Sequence, residues 1–145
     1  MMQALAEQYV EFELRDENYA VNISAIHEII RLPPITEVPN SAAYVKGIIN
    51  LRGNIIPIIR LSSIFDIEES PASKATRILV VNYGQEFVGL IVDRVVQVAR
   101  FTSIQPPPGQ GDDESGAFVG GIGISSTGLV GILRLDMLIK EKAGV

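Results

Sequence analysis

The stretch from Ala43 to Phe65 returns without a gap from Ala117 to Ile139, so this 145-residue chain must build one substructure twice. Ala43 matches Ala117, Val45 matches Val119, Gly47 matches Gly121, Ile48 matches Ile122, Ile58 matches Ile132, Arg60 matches Arg134 and Leu61 matches Leu135. In the first copy two apolar runs flank Arg52-Gly53-Asn54. A Gly-Asn step between β-branched segments tolerates positive φ and predicts a β-hairpin. Its second arm, Ile55 to Ile59, is apolar apart from the imino acid Pro57, which predicts a strand buried on both faces. Pro57 falls on Gly131; one lacks an N–H and the other a side chain, so a bulge or edge is expected there in both copies. Asn50-Leu51-Arg52-Gly53 becomes Ile124-Ser125-Ser126-Thr127, so a hairpin of this build does not need its arginine. Arg52 is a single charge at the tip whose guanidinium can present several donors to a partner. A solvated surface arginine is the plain alternative.

The rest of the chain is repeated as well. Tyr9 to Leu14 alternates, Arg15 to Asn18 reads as a turn and Tyr19 to Val21 as a second strand. Ile23 to Leu32 fits either a helical turn at Ser24 followed by extended chain or a plain strand, and periodicity leaves both open. A loop containing Pro33, Pro34 and Pro39 leads to the hairpin, after which Ser62 is a candidate cap for a short helical turn. Asp66 to Lys74 reads as a linker. Ile78 to Asn82 and Phe87 to Val92 then repeat the first two strands, and Asp93 to Phe101 repeats Ala25 to Leu32. Gln105 to Gly116, rich in proline, glycine and acid, is expected to pack no core. Asp136 to Lys142 predicts a terminal helix, acidic at its start and basic at its end. The chain therefore reads as a single domain over 1–145, with repeats at about 8–66 and 75–142. A half of about seventy residues is marginal on its own, so the halves should share a core. About five short strands in each half predict an all-β fold of two small β-barrels packed together, with a short C-terminal helix.

Composition excludes several kinds of chemistry. There is no cysteine, hence no disulfide and no thiolate site, and a cytoplasmic, reducing setting is expected. The net charge of −5 with no basic stripe argues against nucleic acid. No apolar run reaches membrane-spanning length and the start has no leader pattern, so neither insertion nor secretion is expected. The single histidine, His27, stands beside Glu28, but no nucleophile or second acid is spaced to complete a catalytic set, and a strand-face position is the simpler reading. Gly120, Gly121 and Gly123 lack the lysine and long helix of a phosphate site and read as bend positions. Asp112, Asp113 and Glu114 lack a spaced cation-ligand pattern. Arg60 and Arg134, matched in both copies, suggest structural pairing. No catalytic residue, metal or cofactor is expected.

With these residues in place, Val45 to Ile58 resembles the signature of the CheW family of bacterial chemotaxis coupling proteins. The likeness extends to Tyr19-Ala20-Val21, Ile26-His27-Glu28-Ile29, Gly89 to Asp93 and Gly131-Ile132-Leu133. Arg60 stands where that family commonly has an aspartate. The resemblance implies two intertwined five-stranded barrels of SH3-like type on a shared core. It also implies a non-catalytic adaptor that joins the cytoplasmic tip of chemoreceptors to the regulatory domain of a CheA-type histidine kinase, recruited from the cytoplasm to membrane-associated receptor arrays and monomeric alone. Carried over by motif, Arg52 is the receptor-binding arginine, with Ile26, Glu28, Val95 and Val98 at or near a groove between the barrels, and Gly47, Asn50, Gly53 and Asn54 shaping the turn and its surroundings. An adaptor of a twitching-motility or biofilm pathway is the nearest alternative. A small-ligand barrel with Gln105 to Gly116 as its lid is a more distant one, which a sizeable apolar pocket would distinguish.

Overall fold

The computed structural model describes residues 7–101, 103–106, 119–126, 128–136 and 138. Its elements are β1 (Gln8–Leu14), β2 (Glu17–Asn22), a 3-10 turn (Ile23–Ala25), β3 (Ile26–Arg31), β4 (Val45–Leu51), β5 (Asn54–Arg60), α1 (Leu61–Ile64), β6 (Arg77–Tyr83), β7 (Glu86–Val92), β8 (Arg94–Arg100), β9 (Ile104–Gln105), β10 (Val119–Ser125) and β11 (Gly128–Leu133). The two options left open for Ile23 to Leu32 occur in series. Asn22 caps the 3-10 turn by accepting from Ser24 N at 2.9 Å, and the chain is extended from Ile26 onward. Ser62 does not cap α1: the cap position is Arg60, and Ser62 is buried inside the turn. Of the expected terminal helix, Asp136 and Leu138 are helical, as is Leu135 just before it, and Leu138 N donates to Arg134 O at 3.0 Å. The remainder lies outside the described residues, as does most of the Gln105 to Gly116 segment, from which Gln105 joins β9.

Among the described residues the strands form two sheets, ordered β8-β1-β2-β11-β10-β9 and β3-β6-β7-β5-β4. Both are open, one of six strands and one of five, which corrects the expectation of two closed five-stranded barrels. The cause is how the chain leaves each outer strand. Downstream of β3, Thr36 exchanges two backbone bonds with Ile48 of β4, at 3.0 and 2.9 Å, and makes no longer ladder. Downstream of β8, β9 pairs with β10 over Ile122–Gln105 and Gly123–Ile104. Such short contacts draw the edges together without closing a barrel.

The repeats lend strands to each other. The hairpin β1–β2 pairs with β8 and β11, while β6–β7 pairs with β3 and β5. Even the irregularities correspond: Glu28 faces Val80 as Gln97 faces Glu11, and Ile26 faces Val81 as Val95 faces Phe12, with His27 and Val96 as the extra residues. In the hairpin repeat the register shifts lie between Val45 and Gly47 and between Val119 and Gly121. They are thus on the strands opposite Pro57 and Gly131, not at those residues. Pro57 remains within the ladder opposite Ile48. Ile48 turns both backbone groups toward Thr36, so it asks Pro57 for no N–H, and the parallel pairing of β5 with β7 begins one residue later at Ile58.

Three apolar clusters follow from the alternation of each strand. Ile49, Ile56, Ile58, Ile78 and Val80 fill the inside of the five-stranded sheet. Tyr9, Ala20, Phe101, Val130 and Ile132 fill that of the six-stranded one. The largest lies between the sheets and takes Val10, Phe12 and Leu14 from β1, Ile59 from β5, Leu79 and Val81 from β6, and Val88, Leu90 and Val92 from β7, with Leu61, Ile64 and Phe65. Burying each such side chain stabilises the fold by about 1.5–3 kcal/mol. Tyr19 stacks on Phe65 with ring centroids 5.1 Å apart, and burial pushes its phenol upward, keeping it neutral under ordinary conditions. The linker folds back as a strap: Arg15 pairs with Glu68 at 2.9 Å, Lys46 and Arg60 with Glu69 at 2.9 and 3.2 Å, and Ser70 donates to Asp93 at 2.6 Å. Arg60 also donates to Ala43 O at 2.7 Å. It ties the hairpin to the strap.

Candidate interaction site

Arg52 and Gly53 alone form the loop between β4 and β5, since Leu51 pairs with Asn54. Their φ angles of 53° and 89° are those of a hairpin turn whose twist matches its strands. Asn50 supports it by accepting from Gly53 N at 2.8 Å through its side-chain oxygen. Asn54 opens β5. Gly47 lies toward the other end of β4, at the register shift, where an added Cβ would stand 2.3 Å from Thr36 O. Both the close approach of Thr36 and a φ of 156° require a glycine there.

From this tip the Arg52 guanidinium reaches Glu28 of β3 and donates from Nη2 to Oε1. Since β3 and β4 end the five-stranded sheet on opposite sides, the ion pair spans its open seam. The arginine side chain is 65% exposed and the carboxylate 27%, so the cation stays available while its partner is largely covered. His27 Nε2 lies 3.5 Å from the same Oε1, and its ring stacks on Phe87 with centroids 4.3 Å apart. The structure thus brings Arg52, Glu28 and His27 together. Ile26 and Val95 occupy corresponding places on β3 and β8, each half-buried against the core between the sheets. Val98, opposite Val10 on β8, is 51% exposed and belongs to the other sheet from Arg52.

A second surface was not read from the sequence. At the tip of the β10–β11 hairpin Ile124 faces Leu129, and the two are 58% and 69% exposed. The signal was present in the repeat, where Asn50 becomes Ile124. Among the described residues no three His, Cys, Asp or Glu side chains are grouped to hold a metal. Both sheet interiors are filled; a cleft of about 330 Å³ beneath the strap is walled by Arg15, Lys46, Glu68, Glu69 and Asp93, most of which are already paired with one another, and a wider one of about 490 Å³ lies among Asn22, Asn82, Tyr83, Leu133 and Asp136. The lid expected for a ligand barrel lies almost wholly outside the described residues.

A family model described as the CheW-like domain matches residues 8–143. The chemotaxis protein CheW of Helicobacter pylori is 36% identical over 136 residues, covering 92% of this chain and 82% of that protein. That of Thermotoga maritima is 33% identical over 134 residues, covering 92% and 88%. Protein PilI of Pseudomonas aeruginosa is 33% identical over 103 residues, covering 68% and 58%. The crystal structure of the scaffolding protein TtCheW from Thermoanaerobacter tengcongensis superposes with a TM-score of 0.85 at 36% identity, covering 94% of this chain and 90% of that one.

Proposed function

This chain belongs to the CheW family, and is a non-catalytic adaptor that couples chemoreceptors to a CheA-type kinase in chemotaxis signalling; from that premise we propose that Arg52 is its receptor contact. One observation carries the proposal. Arg52 is an exposed cation held across an open seam at a position where the other repeat has the uncharged Ser126. A receptor helix presenting a carboxylate or its C-terminal carbonyls would draw the guanidinium from Glu28, while its apolar side chains rest near Ile26, Val95 and Val98. No helix among the described residues is long and apolar enough to cross a membrane, in keeping with recruitment to receptor arrays from the cytoplasm through protein contacts.

Arg52→Ala should weaken binding to a soluble receptor cytoplasmic fragment about tenfold or more, and Arg52→Glu further, by setting a second carboxylate against Glu28 and repelling the receptor. Thermal unfolding should change little, because the pair is exposed and worth at most about 1 kcal/mol. Ser126→Glu is the control for a diffuse charge effect. Undiminished affinity in folded Arg52→Ala would remove the assignment.

We assign the exposed Ile124 and Leu129 pair to the kinase regulatory domain, since clustered exposed apolar side chains mark protein interfaces. Leu129→Ser should cost about 1–2 kcal/mol of kinase affinity and leave receptor affinity unchanged in calorimetric titrations. The reverse pattern would reassign the patch.

A further inference from the structure

We propose that His27 controls the release of Arg52 to a receptor, so that receptor binding takes up protons near neutral pH; this rests on the assignment of Arg52 above. One carboxylate oxygen, Glu28 Oε1, is shared by two groups, the Arg52 guanidinium and the His27 ring, whose Nε2 is 3.5 Å away. Histidine is the side chain that ordinarily changes charge between pH 5 and 8. With His27 neutral, Glu28 has Arg52 as its counter-ion. A receptor carboxylate that takes Arg52 then leaves Glu28 largely covered and uncompensated beside a second acid, which opposes transfer. With His27 protonated, the imidazolium replaces the departing charge and the arginine is free to move. Phe87 holds the ring from the other side and offers a π face that favours the cation.

The surroundings leave this exchange to three residues. Around His27, β3 contributes Glu28 and the hairpin tip contributes Arg52; β6 places Val80 and Val81 opposite it, and β7 places Phe87 on its ring. Glu86, next to Phe87, is exposed and makes no ion pair among the described residues. In the other repeat His27, Glu28 and Arg52 correspond to Val96, Gln97 and Ser126, all uncharged. The three charges occur as a set in one copy and are absent as a set from the other. A fold requirement would have marked both.

The sign follows from linkage. If the complex holds the proton on His27 more tightly than the free protein does, affinity rises as pH falls through the histidine range and levels off below it. For partly exposed groups the gain should be about threefold between pH 8 and pH 6. With one histidine in the chain, its Hε1 resonance needs no assignment. In the free protein Arg52→Ala should move the pH at which that resonance shifts upward, and Glu28→Gln should move it downward; no movement in either overturns the coupling. Calorimetry with a soluble receptor cytoplasmic fragment at pH 7, in two buffers of different ionisation heat, should show uptake of a fraction of a proton. His27→Asn and His27→Gln should bind with no uptake and a flat pH profile. An undiminished pH slope in both variants, or no uptake by the native chain, overturns the proposal. Receptor binding that ignores Arg52→Ala would defeat the contact assignment instead, while the receptor-free titrations still decide the coupling.

Discussion

Residues 1–70 expressed alone will be unfolded or aggregated. That fragment contains β1 and β2, which lie between β8 and β11 in the six-stranded sheet, and it contains β3, β5 and β4 without the central β6 and β7 of the other. The strand β3 loses its ladder partner β6, and β5 loses its parallel partner β7. Val10, Phe12, Ile58, Ile59 and Leu61, all nearly or fully buried in the whole chain, would lose cover that is supplied from beyond the cut. At about 1.5–3 kcal/mol for each side chain, that loss matches or exceeds the stability of an ordinary domain, about 5–15 kcal/mol. Dispersed, sharp amide resonances from the isolated fragment would contradict the expectation.

Gly47→Ala should destabilise the intact chain by about 2–4 kcal/mol, because the new methyl would stand 2.3 Å from Thr36 O and 2.7 Å from Ile35 Cγ2. The Thr36 carbonyl accepts from Ile48 N while Thr36 N donates to Ile48 O, so this residue cannot swing aside unless the bridge breaks or the strands part. Because Gly47 also has a φ of 156°, two comparisons separate the clash from the backbone strain. At Gly53 an added Cβ meets nothing within 4 Å and only the positive φ is penalised, so Gly53→Ala should cost about 1 kcal/mol. At the matching Gly121 the nearest atom is Ile104 Cγ2, a side chain able to turn, so the cost there should fall between the two. Urea unfolding of the three variants gives the ranking, and an equal loss at Gly47 and Gly53 would show that backbone conformation, not the close approach, sets the cost.

The duplication was legible because hairpin chemistry and β-branched runs are local signals, and Gly47 and Gly121 stand in register in the sequence itself. Which hairpin serves which sheet was not. The alternation of Tyr9 to Leu14 fixes two faces but says nothing about β8 as a neighbour 86 residues away, where Gln97 meets Glu11. Closure failed for a similar reason, since it turns on whether the proline-bearing segment around Thr36 makes a ladder or a single bridge. Arg52 could be singled out because its repeat partner is Ser126. Its hold on Glu28 could not, because the two are 24 residues apart and meet only across a seam that a closed barrel would lack. Ile124 and Leu129 could have been found by asking of the second hairpin what was asked of the first: which side chains changed character, and toward what.

The exchange of hairpins also has a mechanical meaning. Each repeat is threaded through the other, so the molecule is in effect a domain-swapped dimer whose two protomers were joined end to end. The sheets cannot slide apart by parting a surface contact alone; separation requires pulling β1–β2 or β6–β7 out of a ladder bonded on both sides. Arg52 on one sheet and Leu129 on the other are therefore joined through strands that are bonded into ladders on both sides.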